Sequence, residues 1–210
     1  MTRRRWIADE VSGDRAALVG EHADHLVRVL RARVGEDFDI ATGQAVRRGR
    51  ITSVTQDRVE FDLAEDIAAP ASIEITLVLA IFKFDRMEWA IEKCTELGVS
   101  RMIPVIARRT DSHFAAASMN RVERWQRIAR QAAEQSRRTA PPEIAAPIKL
   151  SDVLNPTQAL RIVLAESEEQ TLLRDVLKSH ASASLGNTIL RSETAAIAAT
   201  AVVVATLFSF

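Results

Sequence analysis

The sequence has a single cysteine, no net charge and almost no long hydrophobic run, and each of these features excludes some classes of protein. With Cys94 as its one cysteine among 210 residues, the chain has no partner for an internal disulfide and no cysteine cluster for a metal, which fits a reducing cytosol. The basic N-terminus, MTRRRWIADEV, lacks the apolar run of a signal peptide. The most apolar segment, 194–210, is rich in Ala and Thr and shorter than the roughly 20 residues of a membrane span, so we expect a buried helix.

The sequence also lacks the short motifs of several enzyme classes. It contains no Gly-x-Gly-x-x-Gly, no Walker loop and no Gly-x-Ser-x-Gly elbow. His22 and His25 share a predicted helix, but no Glu-x-x-His set accompanies them, so a metal site is not expected. Dinucleotide binding, ATP binding, serine hydrolysis and zinc chemistry therefore have no support from motifs.

Charge is balanced over the whole chain and unevenly placed along it. Lys and Arg number 28, and Asp and Glu also number 28. Between residues 101 and 140, however, nine arginines face three acidic residues. A local excess of this kind attracts phosphate groups even on a neutral protein. A competing hypothesis, an unrelated α/β enzyme that acts on small molecules, does not explain why nine arginines occur in this segment.

The first seventy residues predict a β-rich unit. The segments DFDIATG, RRGRITSV and DRVEFDLAED alternate polar and apolar residues, which indicates half-buried strands. One helix, EHADHLVRVLRARVG, interrupts them and is expected to end just before Gly35. We expect a small barrel or sheet closed by this helix, followed by a linker around Pro70.

Beyond the linker the pattern predicts alternating strands and helices. SIEITLVLAIF is a continuous apolar run, as in a strand buried on both faces of a parallel sheet. RMEWAIEKCTELGV predicts a helix with Gly98 just past its end, and RMIPVIA and RIVLAESEE predict further strands. This order is typical of an α/β domain with a parallel sheet.

A helix predicted from about Asn120 has one apolar and one polar side. At 100° per residue, the apolar arc holds Val122, Trp125, Ala129, Ala132 and Ser136, and the opposite arc holds Arg124, Arg127, Gln131, Glu134, Gln135 and Arg138. Guanidinium groups suit phosphates and base edges, although the helix alone favours an ordinary solvated face. Trp89 and Trp125 are interpreted as core anchors, whereas Trp6, beside three arginines, predicts either an RNA contact or an exposed terminus.

The segment SLGNTILRSETAA joins a Gly-Asn turn to the start of the last helix. Backbone amides entering a helix, preceded by such a turn, form a loop able to wrap a small ligand. Ser192 is a candidate cap, with Glu193 near the positive end of the helix dipole. Arg191 stands where a cation is unfavourable, so we expect something anionic nearby.

Four segments in this order resemble the ribosomal RNA small subunit methyltransferase E family, which belongs to the SPOUT methyltransferases: HLVRVLRARVG, EKCTELGV, RVERWQRIARQAAEQSRRTAPPEI and SLGNTILRSETAA. The resemblance covers nearly the whole chain. It implies an α/β fold with a trefoil-knotted parallel sheet at 71–210 and an N-terminal PUA-like β-barrel at 1–70 that helps to hold RNA. It also implies S-adenosyl-L-methionine as methyl donor, N3-methylation of a uridine in 16S ribosomal RNA, a homodimer, a cytoplasmic location, and no metal or membrane partner.

The resemblance assigns roles to individual residues. Cofactor-binding residues are expected at Leu164, Ala165, Leu185, Gly186, Asn187, Ile189, Leu190 and Thr194. Catalytic positions are expected at Arg138, Arg191 and Glu193. Our hypothesis is that Arg138, with Arg191 as a candidate second cation, stabilises a uridine anion, and it leaves the general base unassigned. With the basic segments above, RNA-binding residues are expected at Arg3, Arg4, Arg5, Arg28, Arg31, Arg109, Arg124, Arg127, Glu134 and Gln135. Arg137 stands where the family often has a small residue.

The chain departs from the family pattern in one segment. The family has a strand ending in Gly-Pro-Glu-Gly-Gly, then a helix, between VLAESEE and SLGN, and that turn forms one wall of the methionine pocket. Here only QTLLRDVLKSHASA separates Glu169 from Ser184. Either the chain lacks a segment that the natural protein has, or the protein has lost part of its cofactor site and acts as an RNA-binding relative. A sheet missing this strand is expected to expose apolar surface.

Overall fold

The structure is a computed structural model that describes residues 5–67, 74–153, 161–165, 167–168, 170–177, 181–183, 185 and 190–208. The chain divides into two compact units, Met1–Ala71 with Ala133–Pro141 and Ser72–Ala132 with Pro142–Phe210. Segment 133–141, which holds Glu134 and Arg138, therefore groups with the first unit. The predicted linker around Pro70 lies outside the described residues.

The first unit is built on a six-stranded sheet. Its strands are β1 Arg5–Ile7, β2 Glu10–Ser12, β3 Arg15–Val19, β4 Asp37–Ala41, β5 Val46–Val54 and β6 Arg58–Ile67. The order is β1-β4-β5-β6-β3-β2, with β1 parallel to β4 and every other pair antiparallel. Strands β1 and β2 are the two edges, yet residues 8 and 9 alone join them, so the sheet has to curl. The three strands predicted from alternation are confirmed as β4, β5 and β6.

Alternating side chains give this unit its core. In β6, Val59, Phe61 and Leu63 are buried, and the residues between them are exposed. Trp6 is also buried, at 9% exposure, with its ring centroid 5.6 Å from that of His25. Both interpretations of Trp6, an RNA contact and an exposed terminus, are therefore wrong. Strand β1 turns this ring into the core of the sheet.

The helix of the first unit is shorter than predicted. Helix α1 covers Glu21–Asp24 and continues as a π-helix over His25–Val29. It ends well before Gly35, because Arg31 takes a left-handed backbone conformation with φ of 54°. The expected end at Gly35 is therefore wrong, although Gly35 does adopt φ of 91° in the turn that leads to β4.

The second unit contains parallel sheets, as predicted. Its strands are β7 Thr76–Ala80, β8 Arg101–Ile106, β9 Glu143–Ile144, β10 Ile148–Lys149, β11 Ile162–Leu164 and β12 Ala181–Ala183. Strand β8 pairs in parallel with β7, β9 and β10, and β11 pairs in parallel with β12 in a separate two-stranded sheet. The helices are α2 Phe84–Glu96, α3 Ser112–Ala117, α4 Val122–Gln135, whose end from Ala133 onward groups with the first unit, α5 Leu150–Val153 and α6 Ser192–Phe208.

Helices α2, α4 and α6 supply the core of the second unit. Its buried residues include Met87, Ala90, Ile91 and Cys94 of α2, Trp125 and Ala129 of α4, and Ala196 of α6. Trp125 is fully buried, which confirms it as a core anchor. Trp89 is 46% exposed, so its interpretation as a core anchor is wrong. At 100° per residue, Trp89 lies about 200° from Met87 and points away from the buried stripe.

Helix α2 ends at a glycine, as predicted. Gly98 has φ of 104°. The Gly98 N–H donates to the Thr95 carbonyl at 3.0 Å, and the Val99 N–H donates to the Cys94 carbonyl at 3.1 Å. These two bonds form a Schellman motif, in which the residue after the helix cap is left-handed.

The last helix exposes more apolar surface than predicted, and strand β11 is exposed as well. Helix α6 buries Ala196, Ala199 and Thr200, while Leu207 is 47% exposed, so the helix buries one face rather than its whole surface. Val163 of β11 is 60% exposed. This exposure agrees with the expectation for a sheet that lacks a neighbouring strand. Within the described part of the chain, none of the helices is long and apolar enough to cross a membrane.

Candidate functional site

The start of helix α6 holds a buried carboxylate. The helix begins at Ser192, so Ser192 is its first residue rather than its cap. The Glu193 side chain is 8% exposed, and its Oε1 lies 3.5 Å from Nη1 of Arg86 in the first turn of α2. A buried carboxylate needs such a partner, because burial penalises an unpaired charge. Arg86 was missed from the sequence, since nothing there indicates which arginine meets Glu193.

Arg191 lies just before that helix and is exposed. Its carbonyl accepts the N–H of Ala195 at 2.8 Å, the first hydrogen bond of the helix. Among the described residues no carboxylate forms an ion pair with it. Its guanidinium is therefore open to an anionic ligand, in keeping with the role that the resemblance implies.

The residues expected to bind the cofactor are only partly described. Leu164, 38% exposed, ends strand β11, and Ala165 and Leu190 are half-buried. Leu185 packs against a small core cluster of Leu173, Val176, Leu177 and Ala199, and Thr194 is exposed in the first turn of α6. Gly186, Asn187 and Ile189 lie outside the described residues.

The described members of this set fit an adenosine-containing cofactor. Ligands of parallel α/β sheets bind beyond the carboxyl ends of the strands, where Leu164 lies. An apolar side chain exposed at that place is able to cover one face of a purine ring. The backbone amides of the first turn of α6 add hydrogen-bond donors that no earlier turn uses.

The C-terminal end of α4 sets the place of Arg138. The Arg137 N–H donates to the Glu134 carbonyl at 3.2 Å, and the Arg138 N–H donates to the Ala133 carbonyl at 2.9 Å. Arg137 has φ of 58°, and its carbonyl accepts a hydrogen bond from Nη1 of Arg5. Arg138 is half-buried, and this burial lowers the pKa of its guanidinium, which stays charged at neutral pH.

Glu134 belongs to a small polar chain that sequence reasoning missed. Its Oε1 lies 3.6 Å from Nε2 of His22, and Nδ1 of His22 lies 3.0 Å from Oδ1 of Asp9. Asp9 also accepts the Val19 N–H at 2.9 Å through Oδ2. The three side chains are at most 25% exposed, so Glu134 is held by contacts within the first unit.

The other residues expected to bind RNA fall into two groups. Arg28 pairs with Asp24 at 2.6 Å, and Arg124 pairs with Glu88 through two bonds of 2.6 and 2.8 Å. The second group is exposed and forms no ion pair with any described residue: Arg31, Arg109 and Arg127. Gln135 is exposed as well, and Arg3 and Arg4 lie outside the described residues.

Comparison with known proteins assigns this arrangement to a class. Residues 69–183 match the model of the RNA methyltransferase domain. The chain is 30% identical to ribosomal RNA small subunit methyltransferase E of Rickettsia conorii over 217 residues, covering 88% of this chain and 87% of that protein. It is 35% identical to the enzyme of the same name from a Synechocystis species over 127 residues, which are 59% of this chain and 40% of that protein.

Solved structures that resemble this chain are also methyltransferases. The chain matches a ribosomal RNA small subunit methyltransferase E from Neisseria gonorrhoeae, bound to S-adenosyl methionine, with a TM-score of 0.79 and 25% identity over 99% of this chain and 98% of that one. It matches a methyltransferase of Legionella pneumophila, in complex with the same cofactor, with a TM-score of 0.80 and 25% identity over 97% of each chain.

Fold, site and matches define the class as an RNA methyltransferase with an α/β domain. More narrowly, the chain belongs to the ribosomal RNA small subunit methyltransferase E family. The match to the Rickettsia protein extends over 217 aligned residues, more than the 210 of this chain, so that relative has residues with no counterpart here.

Proposed function

We propose that the protein transfers a methyl group from S-adenosyl-L-methionine to N3 of a uridine in 16S ribosomal RNA of the small subunit. Family membership is the observation that carries this proposal. Two relatives of 25% identity were solved with that cofactor bound, which supports the choice of donor. A ribosomal substrate also supports a cytoplasmic location.

The chemistry requires an anion to be stabilised at the uridine. The bond from N3 to the methyl carbon forms as the bond from sulfur to that carbon breaks, and the N3 proton leaves to a base. The cofactor supplies the electrophilic methyl group on its sulfonium. Arg138, half-buried and positively charged, stabilises the negative charge that spreads over the uracil ring, because a desolvated cation acts more strongly than one in water.

The other two catalytic candidates receive different roles. Arg191 is exposed just before α6 and would supply a second positive charge. Glu193 is buried and already paired with Arg86, so we assign it to holding the start of α6 rather than to removing the proton. The base remains unassigned among the described residues.

Two features of architecture belong to the proposal. We assign residues 1–70 to a PUA-like barrel that holds RNA, supported by the curled six-stranded sheet. We assign 71–210 to a SPOUT domain with a trefoil knot that works as a homodimer, supported by the family and by the parallel sheets of the second unit. Leu164, Leu185, Leu190 and Thr194 would line the cofactor pocket from β11 and the start of α6.

A second candidate is an RNA-binding relative with little methyl transfer. It is favoured by one observation, the separate sheet of β11 and β12 with Val163 60% exposed, in a chain without the Gly-Pro-Glu-Gly-Gly segment. Calorimetric titration with S-adenosylhomocysteine separates the two candidates. Binding supports the methyltransferase, whereas no binding together with retained, salt-sensitive RNA binding supports the relative.

Arg138→Ala tests the proposed mechanism. Loss of one cation aimed at developing charge is expected to lower kcat about a hundred-fold, with KM for RNA changed less than about three-fold. Methyl transfer to unmodified small ribosomal subunits measures both constants. Arg15→Ala is the matched control, because Arg15 is an exposed arginine of the barrel whose ion pair with Asp62 is long, at 3.7 Å. An unchanged kcat in Arg138→Ala would remove Arg138 from the mechanism.

A further inference from the structure

Helices α2 and α4 end in the same hydrogen-bond pattern with different residues at the left-handed position. Helix α2 has Gly98 there, with φ of 104°, and α4 has Arg137, with φ of 58°. Glycine suits this position, because in every other residue the Cβ crowds the next carbonyl oxygen. The turn at Arg137 is therefore less favourable than the glycine turn, and a contact from outside the helix would help to hold it.

Arg5 makes the contact that holds this turn. Its Nη1 donates to the Arg137 carbonyl, across 132 residues of sequence. Its Nε is buried and has no hydrogen-bond partner among the residues that the structure describes. An arginine that binds phosphate presents its donors to solvent, whereas Arg5 donates from Nη1 to a backbone carbonyl and has a buried Nε. Strand pairing fixes the backbone position from which the Arg5 side chain extends, since Arg5 lies opposite Asp39 in the β1–β4 pair.

We infer that Arg5 is a positioning residue, whose guanidinium fixes the Arg137 carbonyl and thereby sets the direction of Arg138. The inference deepens the proposed function and rests on the role given there to Arg138. Arg5, Arg137 and Arg138 all lie in the first unit, and Arg138 is the next residue after the carbonyl that Arg5 binds. A shift of that carbonyl therefore moves Arg138 directly.

Steady-state kinetics of Arg5→Gln distinguish positioning from RNA contact. Glutamine is too short to reach the carbonyl, so we expect kcat to fall about ten-fold, as a small misplacement of a catalytic group does. KM for small ribosomal subunits and the salt dependence of RNA binding are expected to stay as in the wild type. The Arg5→Lys variant keeps one long donor and is expected to retain most of kcat. Arg15→Gln is the matched control for loss of a barrel arginine.

A second substitution that restores the activity of Arg5→Gln distinguishes a positioning role from a phosphate contact, because a lost phosphate contact would not be restored by a change at Arg137. Glycine takes the left-handed conformation without strain, so Arg137→Gly in the Arg5→Gln background is expected to restore at least half of the lost kcat. The same substitution is expected to raise the melting temperature of Arg5→Gln by about 3 °C. In the Arg138→Ala background, Arg5→Gln is expected to lower kcat no further, because both changes act through one side chain.

The outcomes separate failure of this inference from failure of the proposed function. A normal kcat in Arg5→Gln with a raised KM and a weaker salt dependence would make Arg5 a phosphate contact and overturn the inference. An additive loss in Arg5→Gln with Arg138→Ala would overturn it too. A normal kcat in Arg138→Ala alone would instead refute the proposed role of Arg138, whatever the Arg5 variants do.

Discussion

The thiol of Cys94 is a residue whose surroundings alter its chemistry. It is fully buried between α2 and α6, and burial raises its pKa from 9.0 to about 11, although the Thr200 hydroxyl, 3.7 Å from its Sγ, acts in the opposite direction. The neutral thiol is therefore favoured in the folded state. An unfolded chain loses this proton at lower pH than the folded one.

Stability is accordingly expected to fall in alkaline solution because of Cys94. Below pH 9 both states keep the thiol proton, and between pH 9 and 11 only the folded state does, so the free energy of unfolding falls by up to about 1.4 kcal/mol per pH unit. Urea unfolding of the wild type and of Cys94→Ala over this range measures the difference. The sequence has no tyrosine, and its lysines, which also titrate in this window, are present in both proteins and cancel in the comparison. Parallel curves for the two proteins would contradict the prediction.

The three tryptophans show how far single residues are predictable from sequence. Trp125 was predictable, because its apolar neighbours recur along one helical stripe that turned out to be fully buried. Trp89 follows Met87 by two positions and leaves the stripe, a detail that an overall apolar pattern hides. The burial of Trp6 depends on β1 pairing with β4, more than thirty residues away, and local sequence contains no sign of that pairing.

At the scale of elements, one ion pair joins the starts of two helices. Arg86 in the first turn of α2 is 39% exposed, and Glu193 in the first turn of α6 is 8% exposed. Removing only the guanidinium would leave a carboxylate buried without a partner. Removing both charges would leave no such group.

Arg86→Met is therefore expected to lower the free energy of unfolding by about 2 kcal/mol, less than for a fully buried pair because Arg86 is partly in solvent. The double variant with Glu193→Gln is expected to lose less than Arg86→Met alone. Urea unfolding at neutral pH measures all three proteins. Lys93→Met, on the same helix with the partly exposed partners Glu92 and Glu96, is the control and is expected to cost less than Arg86→Met. Equal losses in single and double variants would mean that the pair contributes nothing.

Strongly periodic elements were predictable, and short ones were not. Strands β4 to β6 and helices α2 and α4 follow from period-2 or period-3.6 patterns that extend over several residues. Strands β7 and β8 follow from continuous apolar runs, but the expectation that β7 is buried on both faces is wrong, because Thr76, Val78 and Ala80 are exposed. Strands β9 and β10 contain two residues each and owe their pairing to β8, so no local pattern marks them. The π-helix His25–Val29 and its early end depend on the backbone of Arg31, which the helical pattern of the segment conceals.

At the scale of the whole molecule, the excess of arginines in segment 101–140 overstates the number of arginines that are available to bind RNA. Arg101 pairs with Glu143 at 3.3 Å, Arg124 pairs with Glu88, and Arg121 lies 4.7 Å from the centre of the Phe84 ring. The sequence predicts the excess of charge, and only the structure indicates which charges are already neutralised. In segment 101–140 the exposed arginines without an ion pair among the described residues include Arg109 and Arg127.

These two free arginines are expected to govern the salt dependence of RNA binding. Each phosphate contact with a single strand contributes about 0.7 to the slope of log K against log salt, so Arg109→Gln with Arg127→Gln should reduce the slope by about 1.4 if both bind phosphate. Fluorescence titration with a fragment of 16S ribosomal RNA, at several salt concentrations, measures the slope. Arg101→Gln removes an arginine that Glu143 already occupies, and is expected to leave the slope unchanged. If Arg101→Gln and the double variant altered the slope equally, general charge rather than these two side chains would hold the RNA.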